Sequence, residues 1–232
     1  MSRFDFFLWV AFPYLSVATF VVGHVWRYRR DQYAWTARST QLLERPLLLV
    51  GSLLFHFGLL AAIGGHVLGI LAPRSWTEAV GIDDTLYHWF AVVAGSVSGA
   101  AIVAGLAILV YRRLRIGRVR VTTTRSDLVL YPVLSAAIVF GMLATAWGSA
   151  ADRYAYRDTV SPWFRGIFAL DPHASLMVNA PFLFQAHAVT AWLLFAVWPF
   201  TRLVHVWSVP LTYVGRAPVL YRSRSRAALA RD

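Results

Sequence analysis

Two residue types are missing from this 232-residue chain, cysteine and lysine. Without cysteine there is no disulfide, no thiolate metal site and no iron–sulfur cluster held by the chain itself. Without lysine all 22 positive charges are arginine, which we read as coding bias rather than chemistry. Charge of either sign is scarce: 14% of residues are charged, where a soluble domain carries about a quarter. Aspartate and glutamate are nearly absent from the long apolar runs. No internal repeat or low-complexity linker is visible, which argues against a transporter built on paired inverted repeats. Alternating segments of about ten residues, the mark of a membrane β-barrel, are absent too.

What is present is apolar. Hydrophobic residues make up 58% of the chain, and the mean hydropathy is +0.56. A helix that crosses a bilayer needs roughly 20 mostly apolar residues. Five runs meet that length: Phe6–Trp26, Leu47–Leu71, Leu86–Tyr111, Leu128–Ala150 and Pro181–Val206. Lipid offers backbone groups no partner, so these runs are expected as helices. The predicted fold is all-α, an integral membrane bundle of five transmembrane helices over residues 1–215, followed by a basic tail over 216–232. The first run is too long for a signal-peptide core. It ends in Trp26-Arg27-Tyr28-Arg29-Arg30, a stop-transfer pattern, and is read as an uncleaved span.

Arginine orients the bundle. It clusters after the first run (Arg27, Arg29, Arg30), the third (Arg112, Arg113, Arg115, Arg118, Arg120) and the fifth (Arg216, Arg222, Arg224, Arg226). The other two loops mix arginine with acid, including Asp152 and Arg153. The positive-inside rule then puts the N-terminus outside and the C-terminus in the cytoplasm. The net charge of +11 needs no nucleic acid to explain it, and the basic loops offer a docking face to a cytoplasmic partner. Pro46 and Pro181 are expected in first helical turns, Asn179 as the cap of the fifth helix, and Ser126 or Asp127 as the cap of the fourth.

Ionisable groups inside a membrane are expensive, so chemistry is sought among them. Four of the seven histidines fall in two spans: His56 and His66 in the second, His187 and His205 in the fifth. These spans run in opposite directions, so if they face each other His66 meets His187 near the outer face and His56 meets His205 near the inner one. Eighteen residues separate the fifth-span pair, about five turns, so both rings leave one face of a continuous helix. The separations along the two axes differ, roughly 15 against 27 Å. That mismatch asks for tilt, a bend at Pro199, or a wide cofactor between the helices. Two stacked bis-histidine haems fit the arrangement. With no Cys-x-x-Cys-His they would be b-type. Arg112 and Arg202 are candidates to pair with haem propionates. The bland alternative is that the four are packed core histidines; His24, His88 and His173 are left with it.

The stretch Leu54-Phe55-His56-Phe57-Gly58 with Gly65-His66, the loop Arg118-Val119-Arg120-Val121-Thr122-Thr123-Thr124 and the run Phe200-Thr201-Arg202-Leu203-Val204-His205-Val206-Trp207-Ser208-Val209-Pro210 resemble the gamma subunit of bacterial membrane-bound respiratory nitrate reductase. The resemblance covers nearly the whole chain. It implies a five-span cytochrome b of the bacterial cytoplasmic membrane with two haem b groups, His66 and His187 on the outer iron and His56 and His205 on the inner. It also implies quinol oxidation (menaquinol or ubiquinol) at the outer face. Electrons would leave to a cytoplasmic iron–sulfur beta subunit and a molybdenum-containing alpha subunit that reduces nitrate.

One departure stands out. Well-known members place a lysine near the start of the third span, by the outer haem, and this chain has none. The matching region reads Asp83-Asp84-Thr85-Leu86-Tyr87-His88-Trp89, so Tyr87 or His88 is expected to take that part in quinol binding, beside Gly65 and His66. Two rival readings are a di-haem subunit of another redox complex, heterodisulfide-reductase-like or sulfur-metabolising, and a haem-free anchor or transporter.

Overall fold

The structure, a computed structural model, describes residues 2–151 and 154–208. The expected basic tail, the end of the last motif (Val209, Pro210), Asp152 and Arg153 lie outside the described residues. In chain order the main helices are α1 (Arg3–Ala34), α2 (Pro46–Leu71), α3 (Arg74–Ala79), α4 (Asp84–Arg115), α5 (Arg125–Ala150), α6 (Val160–Phe168), α7 (Ala174–Val178) and α8 (Phe182–Phe200), with single turns at Gly117–Arg120 and Tyr156–Asp158. Among the described residues there is no strand. Helices α1, α2, α4, α5 and α8 are long and apolar enough to cross a membrane, with mean hydropathies from 1.4 to 2.2. The protein is a multi-pass membrane protein. Outward-facing Val22, Leu53, Phe57, Val97 and Leu128 form the apolar surface that lipid requires.

The long helices pack in the order α2–α4–α5–α8–α1. The α2–α4 seam is the closest, because glycines let the backbones meet. A Cβ added at Gly105 would lie 2.5 Å from the Phe55 amide nitrogen and 2.8 Å from the Gly51 carbonyl oxygen. A core of Phe55, Ile102, Leu106, Leu130 and Leu134 fills the space beside this seam. A second core closes one end of the bundle, where Trp9 and Trp192 meet Trp163 and Ile167 of α6 and Met177 of α7. There Trp163 Nε1 donates to the Trp9 carbonyl at 2.9 Å. The connection between α5 and α8 is therefore a small helical cap.

Span boundaries agree with expectation to within a few residues, except at the end of the first, which runs on to Ala34 rather than stopping at Trp26, and at the fifth. The run Pro181–Val206 is not one helix. Its last turn tightens at Trp198–Phe200, Thr201 is extended (φ −118°, ψ −179°), and Arg202–Ser208 is a separate 3₁₀ segment. Pro199 lacks an N–H and its ring crowds the preceding turn. The freed carbonyls find a partner on α1: Arg27 Nη1 donates to Pro199 O at 2.7 Å and to Thr201 O at 3.0 Å. Gly23 lets α1 come that close, since a Cβ there would lie 2.8 Å from the Pro199 ring.

Two cap assignments are also corrected. Thr124 caps α5, with its own N–H donating to Asp127 at 3.0 Å. Asn179 does not cap α8. Pro181 holds that position without a side-chain bond, and Gln185 Nε2 instead donates to the Met177 and Ala180 carbonyls, both at 2.9 Å. Glutamine reaches further than asparagine, so it can serve carbonyls a turn away.

The arginine-rich end of the bundle is cross-tied by buried ion pairs. Asp127, 1% exposed, accepts two bonds from Arg202, Nε to Oδ1 at 2.7 Å and Nη2 to Oδ2 at 2.5 Å. Arg113 Nη1 lies 3.9 Å from the same carboxylate. Asp127→Ala leaves two guanidinium groups short of a counter-charge, and a broken buried pair costs about 3–5 kcal/mol. A clear fall in the thermal unfolding midpoint of the detergent-solubilised protein is expected by circular dichroism. Gly105→Ala, pressed onto backbone, is expected to cost about 1–3 kcal/mol. Gly117→Ala, with nothing within 4 Å of the added atom, is expected to leave the midpoint unchanged.

Candidate cofactor site

Helices α2 and α8 are not a principal packing pair: α2 rests on α4, and α8 on α5 and α1. Across the space between them the structure brings the four histidines together in two pairs. His56 and His205 have ring centroids 6.0 Å apart, and His66 and His187 5.9 Å apart. An iron held by two imidazoles, with metal–nitrogen bonds of about 2 Å, separates ring centroids by roughly 6 Å. The pairs sit at different levels, ten residues apart on α2, about 15 Å along the axis.

All four rings are wired alike. His56 Nδ1 bonds the Ser52 carbonyl at 2.8 Å, His66 Nδ1 the Ala62 carbonyl at 2.7 Å, His187 Nδ1 the Ala137 carbonyl at 2.9 Å and His205 Nδ1 the Arg202 carbonyl at 2.6 Å. A carbonyl can only accept, so each Nδ1 carries the proton and each Nε2 keeps its lone pair. This tautomer is the one a metal-ligating histidine needs, with its other nitrogen oriented by a backbone carbonyl. On α2 the carbonyls are four residues back on the same helix. His187 reaches across to α5, where Gly141 makes room: a Cβ there would lie 2.9 Å from its ring. Gly64 and Gly65, beside His66, have nothing within 4 Å of an added Cβ, which is room for a wide planar group. Among the described residues no three histidine or carboxylate side chains gather as they would round a bare metal ion. A haem iron needs only two protein ligands, because the macrocycle supplies the rest.

The remaining histidines differ. Both nitrogens of His24 are engaged, Nδ1 with the Phe20 carbonyl at 2.7 Å and Nε2 with Trp207 Nε1 at 3.0 Å. His173 lies 3.6 Å from Asp171 on the surface. His88 has a buried Nε2 without a partner among the described residues.

Both arginines expected at propionates are engaged elsewhere. The guanidinium of Arg112, 2% exposed, pairs with the Glu44 carboxylate and donates to Thr40 Oγ1 at 2.8 Å and the Glu44 carbonyl at 2.6 Å. It ties down the loop between α1 and α2. Burial alone would raise the Glu44 carboxyl, but bonds from the Leu47 amide and from Arg112 outweigh it and hold it below the usual carboxylate range. Arg202 holds Asp127, and its Nη1 donates to the Ala37 carbonyl at 3.1 Å. Its link to the site is indirect, through the carbonyl that orients His205.

At the opposite end, Tyr87 is buried and its hydroxyl lies 3.1 Å from that of Tyr156. The sequence reading missed Tyr156. Its signal was weak, one tyrosine in a loop between spans.

A sequence profile described as the nitrate reductase gamma subunit matches residues 5–224. The chain is 45% identical over 218 residues to the nitrate reductase gamma chain of Bacillus subtilis, covering 94% of this chain and 98% of that one. It is 32% identical over 225 residues to the respiratory nitrate reductase 1 gamma chain of Escherichia coli, covering 97% and 100%. It is also 47% identical over 225 residues to the nitrate reductase-like protein NarX of Mycobacterium tuberculosis, but spans only 34% of that longer protein. Five spans, two like-wired histidine pairs and a match over almost the whole sequence agree, and the chain belongs to the nitrate reductase gamma subunit family.

Proposed function

We propose that this chain is the di-haem b membrane subunit of a quinol:nitrate oxidoreductase in the bacterial cytoplasmic membrane. The observation that carries the reading is the pair of pairs: four histidines in two facing pairs, with ring centroids about 6 Å apart within each pair, each with Nδ1 on a carbonyl and Nε2 free to bind. His66 and His187 hold the outer haem and His56 and His205 the inner one. The arginine-rich end faces the cytoplasm, by the positive-inside rule, so the N-terminus lies outside. The five-helix domain runs over 1–215, and the basic segment 216–232 follows as a cytoplasmic tail.

Haem, when bound, supplies reversible one-electron chemistry; the chain supplies position and tuning. Each quinol oxidised gives a quinone, two electrons and two protons. On this reading the headgroup binds at the outer pair, near Gly65, His66, Tyr87 and His88, and its protons leave to the outside. Electrons pass inward, from the level of the outer pair to that of the inner. They leave at the arginine-rich end to an iron–sulfur beta subunit, and from there to a molybdenum-containing alpha subunit that reduces nitrate to nitrite. The relatives named as respiratory nitrate reductase gamma chains support this assignment. Arg112 and Arg202 act on this reading by bracing the inner end rather than by gripping propionates.

The test is a reduced-minus-oxidised visible spectrum with pyridine haemochrome quantitation on detergent-purified protein. Two b-type haems per chain are expected. His66→Ala and His187→Ala should each remove one haem, and His56→Ala and His205→Ala the other. No haem in folded protein from haem-replete cells would overturn the reading. Loss of the same haem from His66→Ala and His56→Ala would overturn the pairing. His88→Ala is expected to slow quinol-driven haem reduction with both haems retained, and unchanged kinetics would remove His88 from the quinol site.

A further inference from the structure

We infer that Tyr87, Tyr156 and Arg157 form a polar pocket against Gly69 that receives an oxygen of the quinol headgroup, with Arg157 as the recognising donor. This rests on the quinol reading above, which already includes Tyr87, and adds Tyr156 and Arg157 to it.

The pocket lies just beyond the outer histidine pair on both flanking helices. Gly69 follows His66 by three residues on α2. A Cβ added at Gly69 would lie 2.8 Å from the Tyr156 hydroxyl and 2.9 Å from the Tyr87 hydroxyl. Only a glycine allows the two phenols to press against this backbone. On the other side Tyr156 stacks on Phe184, with centroids 6.2 Å apart and planes at 22°. Phe184 precedes His187 by three residues on α8. The hydroxyl pair is thus bracketed by residues one turn from each outer ligand.

Arg157 is the unexplained charge. Its Cζ sits 4.0 Å from the centre of the Tyr87 ring, and Nη2 donates to Thr77 Oγ1 at 3.0 Å. Nε and Nη1 are buried with no partner among the described residues. Among the described residues, the acids Glu78, Asp84 and Asp158 all pair with Arg74 instead. A buried cation with idle donors is costly, and such a group calls for an explanation. An oxygen of a bound headgroup provides one. The walls are aromatic, which suits a neutral planar ring better than a hydrated anion. Burial, and then the bond to Tyr87, push the Tyr156 hydroxyl up from its ordinary value, so it stays a neutral phenol able to donate or accept.

The backbone at this end is irregular in the same region. Three π-helical stretches, Phe7–Ala11, Val67–Leu71 and Ala144–Ala151, all fall at the end opposite the arginine clusters. The second contains Gly69. Such segments often mark functional sites.

The experiment uses membranes carrying the assembled complex, with menadiol as a soluble naphthoquinol and dithionite as a reductant that bypasses the pocket. Arg157→Gln should raise KM for menadiol by about tenfold, the worth of a bond to a charged donor, with the dithionite-reduced spectrum of both haems unchanged. Tyr156→Phe, which removes one oxygen, and Gly69→Ala, which pushes the hydroxyls aside, should raise KM in the same sense. Unchanged KM in Tyr156→Phe and Gly69→Ala with both haems present would overturn the pocket, even if Arg157→Gln failed to assemble. A fall in kcat alone in Arg157→Gln would make the cluster a structural joint and overturn it as well. Competition of menadiol by inorganic phosphate in the unaltered complex, lost in Arg157→Gln, would reassign the donor to an anion. Absence of haem from the unaltered complex would instead overturn the function proposed above and leave this pocket without a substrate.

Discussion

Proline 199 breaks the last long helix, and the repair of that break organises one end of the molecule. The ring removes a backbone donor and crowds the turn before it, so the chain after Phe200 leaves the helix. Carbonyls freed at membrane depth need partners from the protein, because lipid has none to offer. Arg27, on α1, supplies two bonds. Arg202 then anchors the extruded segment on the buried carboxylate of Asp127, and the carbonyl of Arg202 orients His205. A proline, two arginines and an aspartate from three helices thus decide where one histidine ring stands.

Polar groups inside the bundle follow a strict economy. The four paired histidines would be unwelcome in an apolar setting if both ring nitrogens were idle. Each gives Nδ1 to a backbone carbonyl and keeps Nε2 unbonded. Three of these carbonyls belong to the histidine's own segment, three or four residues back, and the fourth to α5. The protein obtains one tautomer from two structural solutions, an intrahelical bond on α2 and a cross-helix bond at His187 that requires a glycine at position 141. Buried arginines follow the same rule. Arg112 and Arg202 each bond a carboxylate and at least one carbonyl, which makes them struts.

The two ends of the bundle differ in kind. At one, arginines and their buried acids cross-link the helix ends. At the other, aromatic side chains of α1, α6 and α8, with Met177 of α7, close over the helices, and three helical segments are widened. This chain has no lysine to place there. The cation nearest Tyr87 comes from Arg157, in the loop before α6, so charge reaches this region from a different element. Family membership and local wiring can therefore be read separately: the first from motifs spread along the whole chain, the second only from contacts.

The five spans, their all-α character and the pairing of His56 with His205 and His66 with His187 were legible in the sequence. Each depends on features that repeat or align along one dimension: run length against bilayer thickness, and depth counted in residues from a span end. The Pro199 bend was visible as a possibility, but not that it would end the helix and move His205 onto a separate turn. The roles of Arg112 and Arg202, the helix at Val160–Phe168, the Gln185 bonds that stand where Asn179 was expected, and the Tyr87–Tyr156 contact were hidden. Most of these are decided between residues far apart in the chain, 75 positions for Arg202 and Asp127 and 69 for Tyr87 and Tyr156. A sequence shows which groups are available to bond. Only the packed helices show which of them meet, because a buried donor takes the acceptor that the fold brings within 3 Å.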